Sequence, residues 1–267
     1  MTDLALIAGR GRLPVLVAEA AIAKVTVPRG TACDVPGAHP EFRLERLASI
    51  MEGWRETGIR RVCLAGGVDR PVIEPSRIEP ASLPMVQRIA ATLTGGDGGA
   101  LAALLSILEE GGFEIVAPQE IRPDLLPEAG VLTGAPSERD RLDAERAAEI
   151  LRLTGPLDIG QGCVVAQGLC LAVEAHPGTD HMLASLAGDL AGRRPDPSAG
   201  AGVMLKAPKP GQDRRVDLPT VGPATIDGAA RAGLAGIAVE AGGVLMPDAA
   251  DSVARAERHG LFLWARG

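Results

Sequence analysis

Short apolar runs that end in glycine and are followed by helical patterns recur along this chain. The first covers residues 4–8, ends at Gly9-Arg10-Gly11 and precedes a helical pattern that has Pro14 in its first turn. Another covers residues 62–65 and ends at Gly66-Gly67. Strands and helices that alternate at this spacing predict a mainly parallel sheet with helices on both faces. Such sheets bind ligands at the carboxyl ends of their strands.

The second half of the chain follows a similar alternation. Residues 118–136 are rich in proline and show little periodicity, which indicates a linker. A helix is predicted over 138–153, and a hairpin is predicted with its turn at Gln167-Gly168. A further helix is expected over 179–190, with Thr179 or Asp180 as its N-cap.

These patterns predict two α/β domains. Residues 1–128 are expected to form an N-terminal Rossmann-like domain with a mainly parallel sheet. Residues 129–267 are expected to form a C-terminal catalytic domain of mixed α/β structure. The helix predicted over residues 100–108 is apolar almost all round, so we expect it to be buried.

Composition excludes several classes of protein. The chain has a net charge of -7 and contains three Phe, two Trp and no Tyr, which argues against nucleic-acid binding. The N-terminus does not have the pattern of a signal peptide, and no apolar run approaches the roughly 18 residues of a membrane span. We therefore expect a cytoplasmic protein, with Cys33, Cys63, Cys163 and Cys170 as free thiols and the last three of them in buried strands.

The glycine turns are candidate anion sites. Gly9-x-Gly11 follows a strand and opens a helix, where backbone N–H groups bind phosphates. It lacks the third glycine of a dinucleotide fingerprint, and a plain strand-to-helix reversal is the alternative. In the GGDGG segment at 95–99, Asp97 is either a helix cap or a carboxylate beside exposed N–H groups. Because these turns follow strands of one predicted sheet, they point to one ligand site.

Residues 205–222 concentrate positive charge in an acidic protein. Lys206, Lys209, Arg214 and Arg215 stand near one carboxylate, Asp217. A local excess of cations suits a polyanionic ligand such as a phosphate compound, although a solvated charged loop is the alternative. The carboxylates Glu174, Asp180 and Asp217, together with the lysines, suit magnesium-assisted attack of water on a phosphoryl group.

Several long segments carry a family resemblance. They are LAGGVDRP at 64–71, GGDGGALAALL at 95–105, LDIGQGCVVAQGLCLAVEAHPGTDHML at 157–183 and LKAPKPGQDRRVDLPTVGPATI at 205–226. Through these and shorter matches the chain resembles, over essentially its whole length, the LpxI family of UDP-2,3-diacylglucosamine pyrophosphatases of lipid A biosynthesis.

The resemblance implies an activity and its partners. It implies hydrolysis of the diphosphate of UDP-2,3-diacylglucosamine to UMP and 2,3-diacylglucosamine 1-phosphate (lipid X), with water attacking the UMP-side phosphorus. It also implies a substrate cleft between the two domains, a divalent cation such as Mg²⁺ or Mn²⁺, a homodimer and a peripheral contact with the inner membrane.

The resemblance also implies roles for particular residues. The essential aspartate of the family's DLPT motif matches Asp217, which we expect to act as the base or as a metal ligand. Glu174 or Asp180 would assist, Asp180 would be a second metal ligand, and Lys206 and Lys209 would stabilise charge on the diphosphate. The expected substrate-binding residues are Gly9, Arg10, Gly11, Gly67, Val68, Gly96, Asp97, Gly98, Gln161, Gly178, Thr179 and Thr220.

Two other classes remain open. One is a non-catalytic nucleotide-sugar or lipid-phosphate binding protein, and the other is a nucleotide-dependent transferase on a Rossmann-like sheet. The acidic residues around Asp217 weigh against the binding protein, because binding an anion does not by itself call for carboxylates.

Overall fold

The computed structural model of the chain describes residues 2–69, 71–93, 97–188, 192 and 195–267. The chain divides into two compact units, Met1–Pro123 and Asp124–Gly267. We call them the N-terminal unit and the C-terminal unit.

In the described part of the N-terminal unit, five parallel strands form a sheet in the order β3-β2-β1-β4-β5. The strands are β1 (Leu4–Ala8), β2 (Ala23–Pro28), β3 (Glu41–Phe42), β4 (Arg61–Ala65) and β5 (Glu114–Ile115). The helices are α1 (Arg12–Ala20), α2 (Leu47–Glu56), α3 (Leu83–Thr92), α4 (Asp97–Glu110) and α5 (Pro118–Ile121). The predicted parallel sheet is confirmed, and its central strand β1 is buried throughout.

The described residues of the C-terminal unit form a six-stranded mixed sheet in the order β6-β11-β10-β9-β7-β8. The strands are β6 (Gly130–Thr133), β7 (Gly162–Ala166), β8 (Leu169–Val173), β9 (Val203–Lys206), β10 (Gly236–Glu240) and β11 (Phe262–Arg266). The helices are α6 (Glu138–Thr154), α7 (Gly178–Ala187), α8 (Pro223–Arg231) and α9 (Ala249–His259). Strands β9, β10 and β11 are parallel, whereas β6, β7 and β8 pair antiparallel, so the predicted mixed α/β structure is confirmed.

Strand β9 is buried on both faces of its sheet. Met204 packs into the cluster formed with α7, α8 and α9. Val203 and Leu205 pack into the cluster on the other face, which includes residues of α6. A strand covered on both faces has an almost continuous apolar sequence. Its last residue, Lys206, is the polar exception and lies at the carboxyl edge of the sheet.

The predicted linker at 118–136 is wrong, because it contains ordered elements of both units. Helix α5 lies at its start, and β6 pairs antiparallel with β11 at the edge of the C-terminal sheet. Proline disfavours a central strand, but β6 lies between Pro127 and Pro136 and occupies an edge position.

Two predictions about helices are also wrong. Leu105, Ile107 and Leu108 of α4 are buried, but Leu101 and Leu104 are only half-buried, so the helix is not covered on all sides. Helix α7 begins one residue before the predicted N-cap candidates, with Pro177 at its N-cap. Both candidates therefore lie in the first turn of α7, and the side chain of one of them contributes to the site described below.

The cysteines divide into two groups. All four are free thiols, as predicted. Cys63 and Cys163 are buried, and burial raises the pKa of both thiols, that of Cys63 to about 12. Cys170 is exposed, so the prediction of burial is wrong for this residue, and Cys33 is half-buried. Cys170 is exposed because β8 is an edge strand.

None of the helices in the described ranges combines the length and the apolarity that crossing a bilayer requires.

Candidate functional site

A group of polar side chains lies at the carboxyl edge of β9. Strand β7 begins beside the end of β9, with Gly162 opposite Lys206. Strand β8 ends with Val173 opposite Cys163, which brings Glu174 to the same edge. The antiparallel hairpin thus delivers residues from distant parts of the sequence to the end of a parallel strand, where α/β sheets bind ligands.

Lys206 and Glu174 form a buried ion pair at this edge. The Lys206 Nζ lies 2.8 Å from Glu174 Oε2, and the two side chains are 5% and 12% exposed. The same Nζ donates a hydrogen bond to the Thr179 hydroxyl. Gly160 lies directly against the backbone of Glu174, since a Cβ at this position would stand 1.9 Å from the Glu174 carbonyl oxygen. The structure therefore brings together Lys206, Glu174 and Thr179, which were predicted as site residues.

Asp217 belongs to a network of hydrogen bonds centred on the side-chain amide of Gln212. Its other members are Gln161 and Lys209. The Gln212 Nε2 donates to Asp217 Oδ2, and the Gln212 Oε1 accepts from Gln161 Nε2 at 2.9 Å and from the Lys209 backbone N–H at 2.9 Å. Sequence reasoning missed Gln212, which lies five positions before Asp217 within the cationic segment. A neutral amide among charged residues was the available signal.

A tight turn over residues 213–217 fixes the position of the Asp217 backbone. The Arg215 guanidinium binds both carboxylate oxygens of Asp213, with Nε 3.0 Å from Oδ1 and Nη2 2.7 Å from Oδ2. The Asp213 carbonyl oxygen accepts a hydrogen bond from the Asp217 N–H at 3.1 Å. The neighbouring guanidinium holds the pKa of the Asp213 carboxyl below its usual range.

We expect Asp213→Asn to weaken the dependence of stability on acid pH. A carboxyl group whose folded-state pKa is lowered adds stability above its unfolded pKa of about 4, and this contribution is lost as the pH falls through the folded pKa. Urea unfolding of wild type and variant at about pH 7 and about pH 3 tests this linkage. The difference in unfolding free energy between them should be largest at neutral pH and should shrink in acid. An equal difference at both pH values would contradict the expectation.

The positive charge of the segment is paired in the part of the chain that the structure describes. Each of the four cations of the segment forms an ion pair: Lys206 with Glu174, Lys209 with Asp158, Arg214 with Glu240, and Arg215 with Asp213. These pairs offset the positive charge of the segment. The sequence reasoning missed Asp213, which lies within the segment, and also Asp158 and Glu240, which approach only in the fold.

The glycine turns after β1 and β4 pack against each other. The Arg10 N–H donates to the Gly67 carbonyl at 2.8 Å, and the Gly67 N–H donates to the Arg10 carbonyl at 3.1 Å. A Cβ on Gly9 would lie 2.5 Å from the Gly67 carbonyl oxygen, so glycine permits this close approach. The Gly11 N–H donates to the Asp34 carboxylate at 2.9 Å. A phosphate that bound this N–H would have to displace the Asp34 carboxylate. Sequence reasoning missed this contact of Asp34.

The remaining predicted residues lie in several settings. Val68 is exposed beside the paired turns, and Asp180 is exposed in the first turn of α7. Gly178 begins α7, and Thr220 is exposed next to Val221, whose N–H donates to the Leu245 carbonyl at 2.9 Å. Gly96 lies outside the described residues, and the described backbone of Asp97 and Gly98 begins α4. Contact of these residues with a substrate stays a prediction.

The donor set around Asp217 bears on whether the site fits a magnesium ion. In the ranges that the structure describes, no three His, Cys, Asp or Glu side chains come together as a metal cage. Magnesium in proteins is often bound by one or two carboxylates and completes its coordination with substrate phosphates and water. A half-buried carboxylate such as that of Asp217 fits that arrangement.

Comparisons with known proteins cover almost the whole chain. A family described as the LpxI N-terminal domain matches residues 3–125, and one described as the LpxI C-terminal domain matches residues 128–264. The UDP-2,3-diacylglucosamine pyrophosphatase LpxI of Caulobacter vibrioides (strain ATCC 19089 / CIP 103742 / CB 15) is 39% identical over 273 residues, which cover 98% of this chain and 97% of that protein.

Proposed function

The chain belongs to the LpxI family, and on that premise we propose that it hydrolyses the diphosphate bond of UDP-2,3-diacylglucosamine. The products are UMP and 2,3-diacylglucosamine 1-phosphate. The observation that carries the proposal is the position of Asp217. Its half-buried carboxylate accepts a hydrogen bond from the Gln212 amide near the carboxyl edge of β9. A carboxylate held in this way suits water activation rather than simple anion binding.

The proposed reaction is one displacement at phosphorus. The oxygen of water forms a bond to the UMP-side phosphorus, and the bond from that phosphorus to the bridging oxygen breaks. The proton of the attacking water passes to the Asp217 carboxylate if this residue is the base. Lys206 and Lys209 offset the charge that develops on the leaving phosphate, as cations do in phosphoryl transfer.

Glu174 and Asp180 have supporting roles in this proposal. Glu174 holds the Lys206 ammonium at the strand end through the 2.8 Å ion pair. Asp180 is exposed one residue after Thr179, whose hydroxyl accepts from the same ammonium. We propose Asp180 as the second carboxylate available to a metal ion, beside Asp217.

A divalent cation, Mg²⁺ or Mn²⁺, forms part of the proposal. When bound, it would neutralise phosphate charge and polarise the phosphoryl oxygens. The pairing of the four cations supports this need, because each of them already has a carboxylate partner before a diphosphate binds. The cytoplasmic location expected from the sequence is a proposal of the same kind, as are the homodimer and the peripheral contact with the inner membrane that the family resemblance implies.

Hydrolysis in H₂¹⁸O tests the activity and the position of attack together. Purified protein is incubated with UDP-2,3-diacylglucosamine and Mg²⁺, and both products are analysed by mass spectrometry. UMP should form and should carry the ¹⁸O label. Label in the lipid phosphate instead would show attack on the other phosphorus.

Two controls separate the alternatives. A UDP-N-acetylglucosamine reaction tests whether the acyl chains are required, and EDTA tests the need for a divalent cation. Binding of the lipid substrate without any UMP across several divalent metals would favour the non-catalytic binding protein.

A further inference from the structure

We infer that Gln212 is a positioning residue, whose side-chain amide orients the Asp217 carboxylate for the hydrolysis proposed above. The inference rests on that proposed function. It assigns a role to a residue that neither the motif at 217–220 nor the charge pattern of the segment singles out.

The orientation of the Gln212 amide is set by a neighbouring group that can donate a hydrogen bond but cannot accept one. The Lys209 backbone N–H lies 2.9 Å from Gln212 Oε1, and a backbone N–H can only donate. The atom that faces Lys209 must therefore be the amide oxygen. The NH₂ group then points the other way, where it donates to Asp217 Oδ2.

The amide also connects the loop to the sheet. Gln161 immediately precedes β7, and its Nε2 donates to Gln212 Oε1 at 2.9 Å. Its backbone carbonyl accepts from the Ala207 N–H at 2.9 Å, just after β9. Gln212 thus connects three places by hydrogen bonds: Lys209 early in the loop after β9, Gln161 at the sheet edge, and Asp217. Asp217 is held relative to the strand end rather than by its own loop alone.

A fixed carboxylate matters for the reaction because a base or ligand acts only from the correct place. Displacing a catalytic group by about 1 Å can cost on the order of 10²-fold in rate. The bond from Gln212 limits rotation of the Asp217 carboxylate before the substrate arrives. Its loss should lower kcat more than it changes KM.

Gln212→Glu removes the donor to Asp217 and places a second carboxylate beside it. Glutamate has nearly the same shape and still accepts from Lys209 and Gln161, but its ionised form has no proton to donate to Asp217. Gln87→Glu is the matched control, because Gln87 is exposed on α3 and undergoes the same change of charge. Rates are measured at about pH 8, where the introduced glutamate is ionised.

At high pH we expect kcat of Gln212→Glu to fall by about 10²-fold, with KM nearly unchanged and Tm within a few degrees of wild type. Gln87→Glu should keep the wild-type kcat and KM. A wild-type kcat for Gln212→Glu, or a rate loss that only follows a loss of stability, would overturn the inference.

A crystal structure of Gln212→Glu at high pH gives a readout that does not depend on turnover. The Asp217 carboxylate should leave the rotamer it has in the wild type, whereas an unchanged rotamer would overturn the positioning role even if the rate fell. Failure of the wild-type protein to release UMP would instead count against the proposed function, so the two failures are distinguishable.

Discussion

Asp217→Asn is expected to lower the rate of UDP-2,3-diacylglucosamine hydrolysis by about 10²- to 10⁴-fold, the usual cost of losing a general base. Asparagine keeps the shape of aspartate, and its amide oxygen can still accept from Gln212. The fold should therefore survive, with little change in Tm or in substrate binding. Turnover is measured as UMP release, and binding is measured by isothermal titration with the same substrate.

The metal dependence of this variant separates the two roles considered for Asp217. If Asp217 is the base, the loss should be the same at every concentration of Mg²⁺. If it is a metal ligand, the variant should need more Mg²⁺ for half-maximal rate and should recover part of its activity at high Mg²⁺. Asp251→Asn, which removes a surface carboxylate of α9, is the matched control. Full turnover by Asp217→Asn would refute both roles.

Glu174→Ala is expected to destabilise the C-terminal unit by about 3–5 kcal/mol, the usual cost of removing one partner of a buried ion pair. The Lys206 side chain is only 5% exposed, and the variant removes its carboxylate partner. In the described structure the Thr179 hydroxyl is then the remaining partner of the ammonium. Urea denaturation measures the free energy of unfolding. A loss below about 1 kcal/mol would mean that the pair is solvated in solution.

A double variant distinguishes two causes of lost stability, an unpaired buried charge and lost packing. Glu174→Leu combined with Lys206→Met replaces both charged groups by apolar ones, and such replacements are often neutral or stabilising. We expect the double variant to recover most of the stability that Glu174→Ala loses. It should nevertheless hydrolyse the substrate poorly, because the proposed charge stabilisation by Lys206 is gone. A stable double variant with normal turnover would remove Lys206 from the mechanism.

The hairpin of β7 and β8 shows how far local patterns reach. Short apolar runs predicted both strands, although Gln167-Gly168 is a weak turn sequence. The structure explains the turn by a contact from elsewhere: the buried Asp143 of α6 accepts from the Gln167 and Gly168 N–H groups at 2.9 and 2.8 Å. That carboxylate compensates for the left-handed conformation of Gln167, which has a φ of 53°.

The sequence by itself determined the family, the two α/β units and the segment that contains Asp217, Lys206 and Lys209. Periodicity and glycine turns are local signals, and long motifs identify a family without any coordinates. These signals do not show which side chains meet across the fold.

The tertiary structure decided which charges and amides are already engaged. It pairs Lys209 with Asp158, assigns the Gly11 N–H to Asp34, and places Gln212 between Lys209 and Asp217. The physical reason is that charge and hydrogen-bonding capacity are balanced in space rather than along the chain. A segment that is cationic in the sequence is therefore paired in the fold with carboxylates, most of them from distant residues and one, Asp213, from the segment itself.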